Sequence, residues 1–199
     1  MKKFTAFLLE GGTSNVPLIV VDIQPAYESY CIHILNNPKF IKLLETQKRI
    51  LWFFNGEDFG LDSKSAVIDW LYENDISDDI IDKIEFKEKV YGFFRGWMDS
   101  GVSDNIILKV IRLLAMNREN DVRDIDIELL QTELGNDFED IENLIDDGIN
   151  IPDIAIKELK SYSGGLICGG GKHECLREIE LLMSAFNIRY REIKEFIYK

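Results

Sequence analysis

The sequence predicts an α/β fold, a Rossmann-like three-layer sandwich around a central, mostly parallel sheet, with an acidic helical insertion. Three observations predict it. The runs PLIVVDI at 17–23 and ILWFFNG at 50–56 are apolar without alternation, as strands buried on both faces are. Stretches with apolar residues at helical spacing lie between and after them. A glycine-bounded run, GGLICGGG at 164–171, repeats the strand-then-helix order late in the chain.

The elements follow in order. Residues 1–16 end in GGTSN, a turn-rich stretch, and Phe4, Phe7 and Leu8 share one face of a short helix; this reads as an arm that docks on the body. The first strand is 17–23. A helix is expected over about 40–48, the second strand over 50–56, and a second helix over 63–73, where Ala66, Val67, Trp70 and Leu71 recur at helical spacing. A third, shorter strand falls within 81–90. Residues 101–116 form an amphipathic helix through Ile106, Ile107, Val110, Ile111, Leu113 and Leu114. Residues 117–160 are dense in Asp, Glu and Asn and read as short acidic surface helices, an insertion rather than core. The chain closes with a strand at 164–171, a helix at 172–186 and a strand at 188–197. One domain, 17–199, with its insertion at about 117–160, is the expected organisation.

Composition bounds the function. A chain of 199 residues with 46% apolar and 30% charged residues affords a packed core, which excludes wholesale disorder. Lys and Arg number 23 against 36 Asp and Glu, a net charge of −13. Such a body repels phosphate, so neither nucleic acid nor an anionic membrane is an expected partner. The three cysteines, Cys31, Cys168 and Cys175, are too few and odd in number for a disulfide framework. With an apolar run at 4–9 too short for a signal peptide and no membrane-length segment, a cytoplasmic protein is expected. Its expected partner is a small-molecule substrate, without a cofactor. A homo-oligomer is allowed, with Trp97 or the 117–160 segment as surfaces.

Ligands of open parallel sheets bind beyond the carboxyl ends of the strands. Three chemistry-bearing features are placed there. Asp22 interrupts an apolar strand, where an unpartnered carboxylate is costly; an N-cap role is the plain alternative. Lys87 and Lys89 end the third strand, and either is equally well read as a solvated charge on an edge. Cys175 opens a helix just after a glycine run, where the helix dipole favours thiolate; taken alone, a small buried residue is the commoner fate of a cysteine.

The three positions together resemble the isochorismatase-like cysteine hydrolases, a family that includes nicotinamidases. The family's strand ends in V-[IV]-D-x-Q, and residues 20–24 are VVDIQ. Its lysine precedes an aromatic segment, as Lys89 precedes Tyr91, Phe93 and Phe94. Its C-G-x-x-x-x-x-C-[VL] motif is matched by CGGGKHECL at 168–176. The resemblance spans about 17–111 and 163–197. It implies a Rossmann-like fold, an Asp22–Lys89–Cys175 triad, and a cis peptide just before the cysteine-bearing helix. It further implies an oxyanion loop at Gly170, Gly171 and Glu174, and a substrate pocket to which Gln24, Tyr27, Trp52 and Phe93 are assigned. The activity implied is hydrolysis of a small amide or related C–N bond; the alternative is a catalytically degenerate member that binds a ligand or protein.

The chain departs from that family in several places. D-x-Q-N-D-F becomes DIQPAY, and a Gly-Val-Ala-Thr turn becomes Gly169, Gly170, Gly171 and Lys172. The histidine pair that binds metal after strand two in nicotinamidases is absent, and Glu57, Asp58 and Asp62 stand in the region instead. Their oxygens suit a hard cation, but a solvated acidic loop is the preferred reading and no metal is expected. GGGK lacks the upstream glycine and following Ser/Thr of a phosphate-binding loop. Cys168, His173 and Cys175 have poor zinc spacing, and His33 reads as structural.

Overall fold

Strands β1 (Leu18–Val21), β2 (Ile50–Asn55), β3 (Ile84–Lys89), β4 (Gly165–Gly169) and β5 (Tyr190–Glu192) form one sheet, ordered β3-β2-β1-β4-β5 with every neighbouring pair parallel. The computed structural model describes residues 15–56, 61–89, 94–147 and 153–198. The arm expected at 1–16 therefore lies outside the described residues up to residue 14.

The apolar runs become strands for the anticipated reason. Leu18, Val20, Ile50, Trp52, Phe54, Leu166 and Cys168 share a hydrophobic cluster on one face. The intervening Ile19, Val21, Leu51, Phe53 and Ile167 are also at most 1% exposed. Only a sheet covered on both sides buries both sets. Each such side chain contributes about 1.5–3 kcal/mol. The result is the three-layer α/β fold expected.

The first face is covered by helices α1 (Glu28–Leu35), α2 (Pro38–Thr46), α3 (Lys64–Glu73) and α4 (Asp78–Ile81), which contribute Cys31, Ile34, Phe40, Leu44, Val67, Leu71 and Ile80 to the cluster. The starts of α2 and α3 are set by side-chain caps. Asn37 accepts from the Lys39 amide at 3.0 Å, with Pro38 at the first turn, and Ser63 accepts from the Ala66 amide at 3.1 Å. Helix α1 was not anticipated. Its apolar positions, Cys31, Ile34 and Leu35, span barely one turn, too little periodicity to stand out.

The described residues divide into two compact units, the first within Met1–Val90, Tyr162–Leu176 and Tyr190–Lys199, the second within Tyr91–Ser161 and Arg177–Arg189. The second holds α5 (Arg95–Asp99), α6 (Asp104–Asn117), α7 (Ile127–Leu134), α8 (Asp153–Ser161) and most of α9 (Cys175–Ala185). Here the reading of 117–160 as surface insertion is corrected. Short helices are present, but Val122, Leu130 and Ile141 are 0% exposed and belong to a core, α7 packing on α6. The dense acidic residues mask in the composition what their apolar neighbours bury. Trp97 is likewise 0% exposed, its indole N–H donating to the Leu144 carbonyl at 2.9 Å, so it offers no oligomer surface. The strand expected over 188–197 shrinks to β5, followed by a 3-10 turn at Lys194–Phe196 and a single parallel bridge from Gly171 to Tyr198. Among the described residues no helix is long and apolar enough to cross a membrane.

Candidate active site

Strand order reverses between β1 and β4, which opens a crevice at the carboxyl ends of the two strands. Asp22 stands there, one residue past β1. Its amide still donates to the Phe53 carbonyl at 2.9 Å, but its φ of 49° leaves the strand conformation for the left-handed region. Aspartate tolerates that region better than most residues, at a cost of about 1–2 kcal/mol. The turn is held from the far end of the chain: the Tyr198 hydroxyl donates to the Asp22 carbonyl at 2.9 Å.

The carboxylate of Asp22 is 0% exposed. Its Oδ2 accepts from the ammonium of Lys89, itself 1% exposed, and from Asn55 Nδ2 at 3.2 Å. Its Oδ1 has no hydrogen-bond partner. Parallel register explains the meeting. Asn55 and Lys89 are paired at the ends of β2 and β3, one and two strands further from the switch than Asp22. Mutual attraction in a low-dielectric site offsets part of what it costs to bury both charges. Of the two lysines left open by the sequence, Lys89 therefore pairs with Asp22, and Lys87 ion-pairs with Glu85 at 3.5 Å.

The second hydrogen of the Asn55 amide goes to the Tyr27 hydroxyl oxygen at 3.0 Å. Burial raises the Tyr27 pKa above that of an ordinary phenol, and the nearby charges of Asp22 and Cys175 raise it further. Tyr198 is pushed up for the same reasons, burial first, then Asp22 and Cys175. Both tyrosines are thus neutral hydroxyl donors that feel the carboxylate and the sulfur of Cys175 together.

Cys175 is the first residue of α9 and is partly exposed, whereas Cys31 and Cys168 are buried. Burial pushes Cys168 far up and Cys31 up to about 11. Helix α9 is reached through a tight loop. Gly169 and Gly170 have φ of 78° and 64°, and a Cβ on Gly169 would stand 2.2 Å from the Val21 carbonyl oxygen. No peptide bond among the described residues is cis, which corrects the expectation of one before this helix; the positive-φ glycines turn the chain with trans bonds alone.

That loop also corrects part of the expected oxyanion site. The Glu174 amide donates to the Gly171 carbonyl at 3.0 Å, the Leu176 amide to the same oxygen at 3.1 Å, and the Lys172 amide to the Tyr198 carbonyl at 3.2 Å. Glu174 therefore spends its N–H closing the turn. Gly170 and Gly171 supply the backbone conformation and approach around it.

Two assigned pocket residues are also corrected. Trp52 is 0% exposed; its indole donates to the Ile23 carbonyl at 3.0 Å and its ring packs against Phe40 and Phe86. It is core, because its position on β2 points to the helix-covered face. Gln24 is 0% exposed and fully engaged, accepting from the Asn55 amide at 2.8 Å and donating to the Asn55 carbonyl at 3.0 Å and to Asp62 at 2.8 Å. Asp62, proposed as a weak metal ligand, also accepts from the Ala26 amide at 2.8 Å; it ties down the turn that carries Tyr27. Among the described residues no group of three His, Cys, Asp or Glu side chains is arranged to hold a metal ion. Phe93, Glu57 and Asp58 lie outside the described residues.

Sequence reasoning missed Asn55 and Tyr198. Asn55 left a signal, a polar residue closing an apolar strand at its carboxyl end, where ligands of such sheets bind. Tyr198 left none. The fold and site define a parallel α/β protein with a buried carboxylate–ammonium pair beyond β1 and a thiol at the start of the helix that follows β4. Scans against family models, curated proteins and solved structures each found no match.

Proposed function

We propose that the protein is a cysteine hydrolase of the isochorismatase-like kind, cleaving a small amide or related C–N bond. The observation that carries the reading is the state of Asp22. It is a buried carboxylate with one oxygen held by Lys89 and Asn55 and the other, Oδ1, without a partner. Most buried carboxylate oxygens have a partner, and a general base keeps one open.

In this reading Cys175 Sγ attacks the carbonyl carbon while its proton passes to Asp22 Oδ1. The proton moves on to the leaving nitrogen as the C–N bond breaks and the carbonyl re-forms, leaving a thioester. Water then adds, giving a proton to Asp22, and collapse expels the sulfur, which takes that proton back as the acid product leaves. Lys89 keeps the carboxylate charged and fixed throughout.

Ammonia release from a panel of small primary amides tests the reading. Cys175→Ala is expected to abolish turnover and leave the unfolding curve in place. Turnover at the wild-type rate by that variant removes the nucleophile. The committed amide of Glu174 favours a second reading, a degenerate member that binds a ligand without acting on it. Iodoacetamide separates the two: accelerated alkylation of Cys175 relative to a small free thiol supports the enzyme, and a sluggish Cys175 supports the binder.

A further inference from the structure

We propose that the hydroxyl of Tyr27 is the oxyanion donor of this site, a side chain doing what backbone amides of the cysteine loop were expected to do. The inference rests on the cysteine-hydrolase reading above and goes beyond it by assigning the charge-stabilising group.

Two sets of observations carry it. The loop leading into α9 has committed the amides of Lys172, Glu174 and Leu176 to carbonyls of Tyr198 and Gly171. With those three amides engaged, negative charge developing on a substrate oxygen beside Cys175 gains from a side-chain donor. Tyr27 supplies one. Its oxygen already accepts from Asn55 Nδ2, which fixes the hydroxyl and directs its hydrogen away from Asn55. The other hydrogen of the same amide goes to Asp22 Oδ2 at 3.2 Å. The fork of one NH₂ group therefore sets the phenol oxygen and the carboxylate oxygen roughly 5 Å apart.

Tyr27 also sits where the charges of both Asp22 and Cys175 act on it, and its raised pKa keeps it a donor at neutral pH rather than a phenolate. A hydroxyl pre-placed by a neighbouring amide needs little reorganisation when the charge appears, which is what makes such donors effective. As Sγ bonds to carbon, the carbonyl π electrons move to oxygen. That oxygen accepts a hydrogen bond from Tyr27 without proton transfer, and returns the electrons when the leaving group departs.

The test separates an oxyanion donor from a thiol-tuning or structural residue by using two electrophiles on the same sulfur. p-Nitrophenyl acetate acylates Cys175 through a tetrahedral alkoxide and releases p-nitrophenolate. Iodoacetamide alkylates it by displacement of iodide at a saturated carbon, where no oxyanion forms. Tyr27→Phe is expected to slow acylation by about 10²–10³-fold while alkylation stays within about twofold of wild type. Equal slowing of both reactions, or of neither, overturns the proposal. Wild-type protein that is alkylated at Cys175 yet never acylated there defeats the hydrolase reading itself, and the oxyanion assignment with it.

Discussion

The ammonium of Lys89 rests on Oδ2 of Asp22 with both groups essentially removed from solvent, while Oδ1 of the same carboxylate is left without a partner. The pair is held by residues 67 positions apart that meet through the parallel stacking of β1, β2 and β3. Each of the two buried charges depends on the other for its compensation.

Removing one partner strands the other. Lys89→Met is expected to lower the free energy of unfolding by about 3–5 kcal/mol, the cost of leaving a buried charge uncompensated. The double variant Asp22→Asn with Lys89→Met is expected to lose less than the sum of the two single variants. Urea denaturation of the four proteins measures the coupling; strict additivity would show that the two charges do not depend on each other.

The glycine loop separates conformational strain from steric collision. A Cβ on Gly169 meets the Val21 carbonyl oxygen at 2.2 Å, whereas one on Gly101, whose φ of 84° is similar, meets nothing within 4 Å. Gly101→Ala is expected to cost about 1–2 kcal/mol from backbone conformation alone. Gly169→Ala adds a backbone clash and is expected to destabilise by clearly more, with displacement of β4 from β1. Thermal denaturation of both variants checks the order.

The three thiols differ in access and in charge state. Cys175 is partly exposed, while Cys31 and Cys168 are buried with raised pKa values. The thiolate is the reactive form. One equivalent of iodoacetamide is therefore expected to label native protein at pH 7.5, mapping to Cys175 by peptide mass, with the other two appearing only in urea.

Alkaline pH is expected to weaken the fold. Cys31 moves from the ordinary thiol value of 9.0 to about 11 on burial. Above 9 the unfolded chain releases this proton and the native chain still holds it, so stability is fully present below about 9 and declines as pH rises toward 11. Cys31→Ala removes this contribution, and its stability is expected to vary less steeply over the same window in urea titrations.

Tyr198→Phe isolates the bond from the chain's last turn to the strained residue. Losing the hydroxyl leaves the buried Asp22 carbonyl without that donor. The expected cost is about 1–3 kcal/mol by urea denaturation, with the aromatic stack on Tyr30 retained. An unchanged midpoint would show that the left-handed turn at Asp22 holds without it.

Much of this candidate site was legible in the sequence one residue at a time. Asp22 showed itself because a carboxylate breaks an apolar run, and Cys175 because glycines precede an amphipathic helix. Trp52 and Gln24 were misplaced for a common reason: a large aromatic and an amide near a strand end look the same in sequence whether they face a ligand or a packed helix. Glu174 was assigned a donor role that the turn itself consumes, since loop hydrogen bonding is set by φ and ψ rather than by residue type.

The sequence by itself determined the class of fold and the order of the strands along the chain, and it singled out Asp22, because burial on both faces of a sheet demands uninterrupted apolar runs and leaves any charge within them conspicuous. The tertiary structure alone decided that Lys89 rather than Lys87 faces Asp22, that Asn55 links Asp22 to Tyr27, and that Tyr198 returns to brace the turn. Those relations depend on the register between strands and on the path of the final residues. Hydrophobic burial constrains which face a side chain takes, but not which partner waits there.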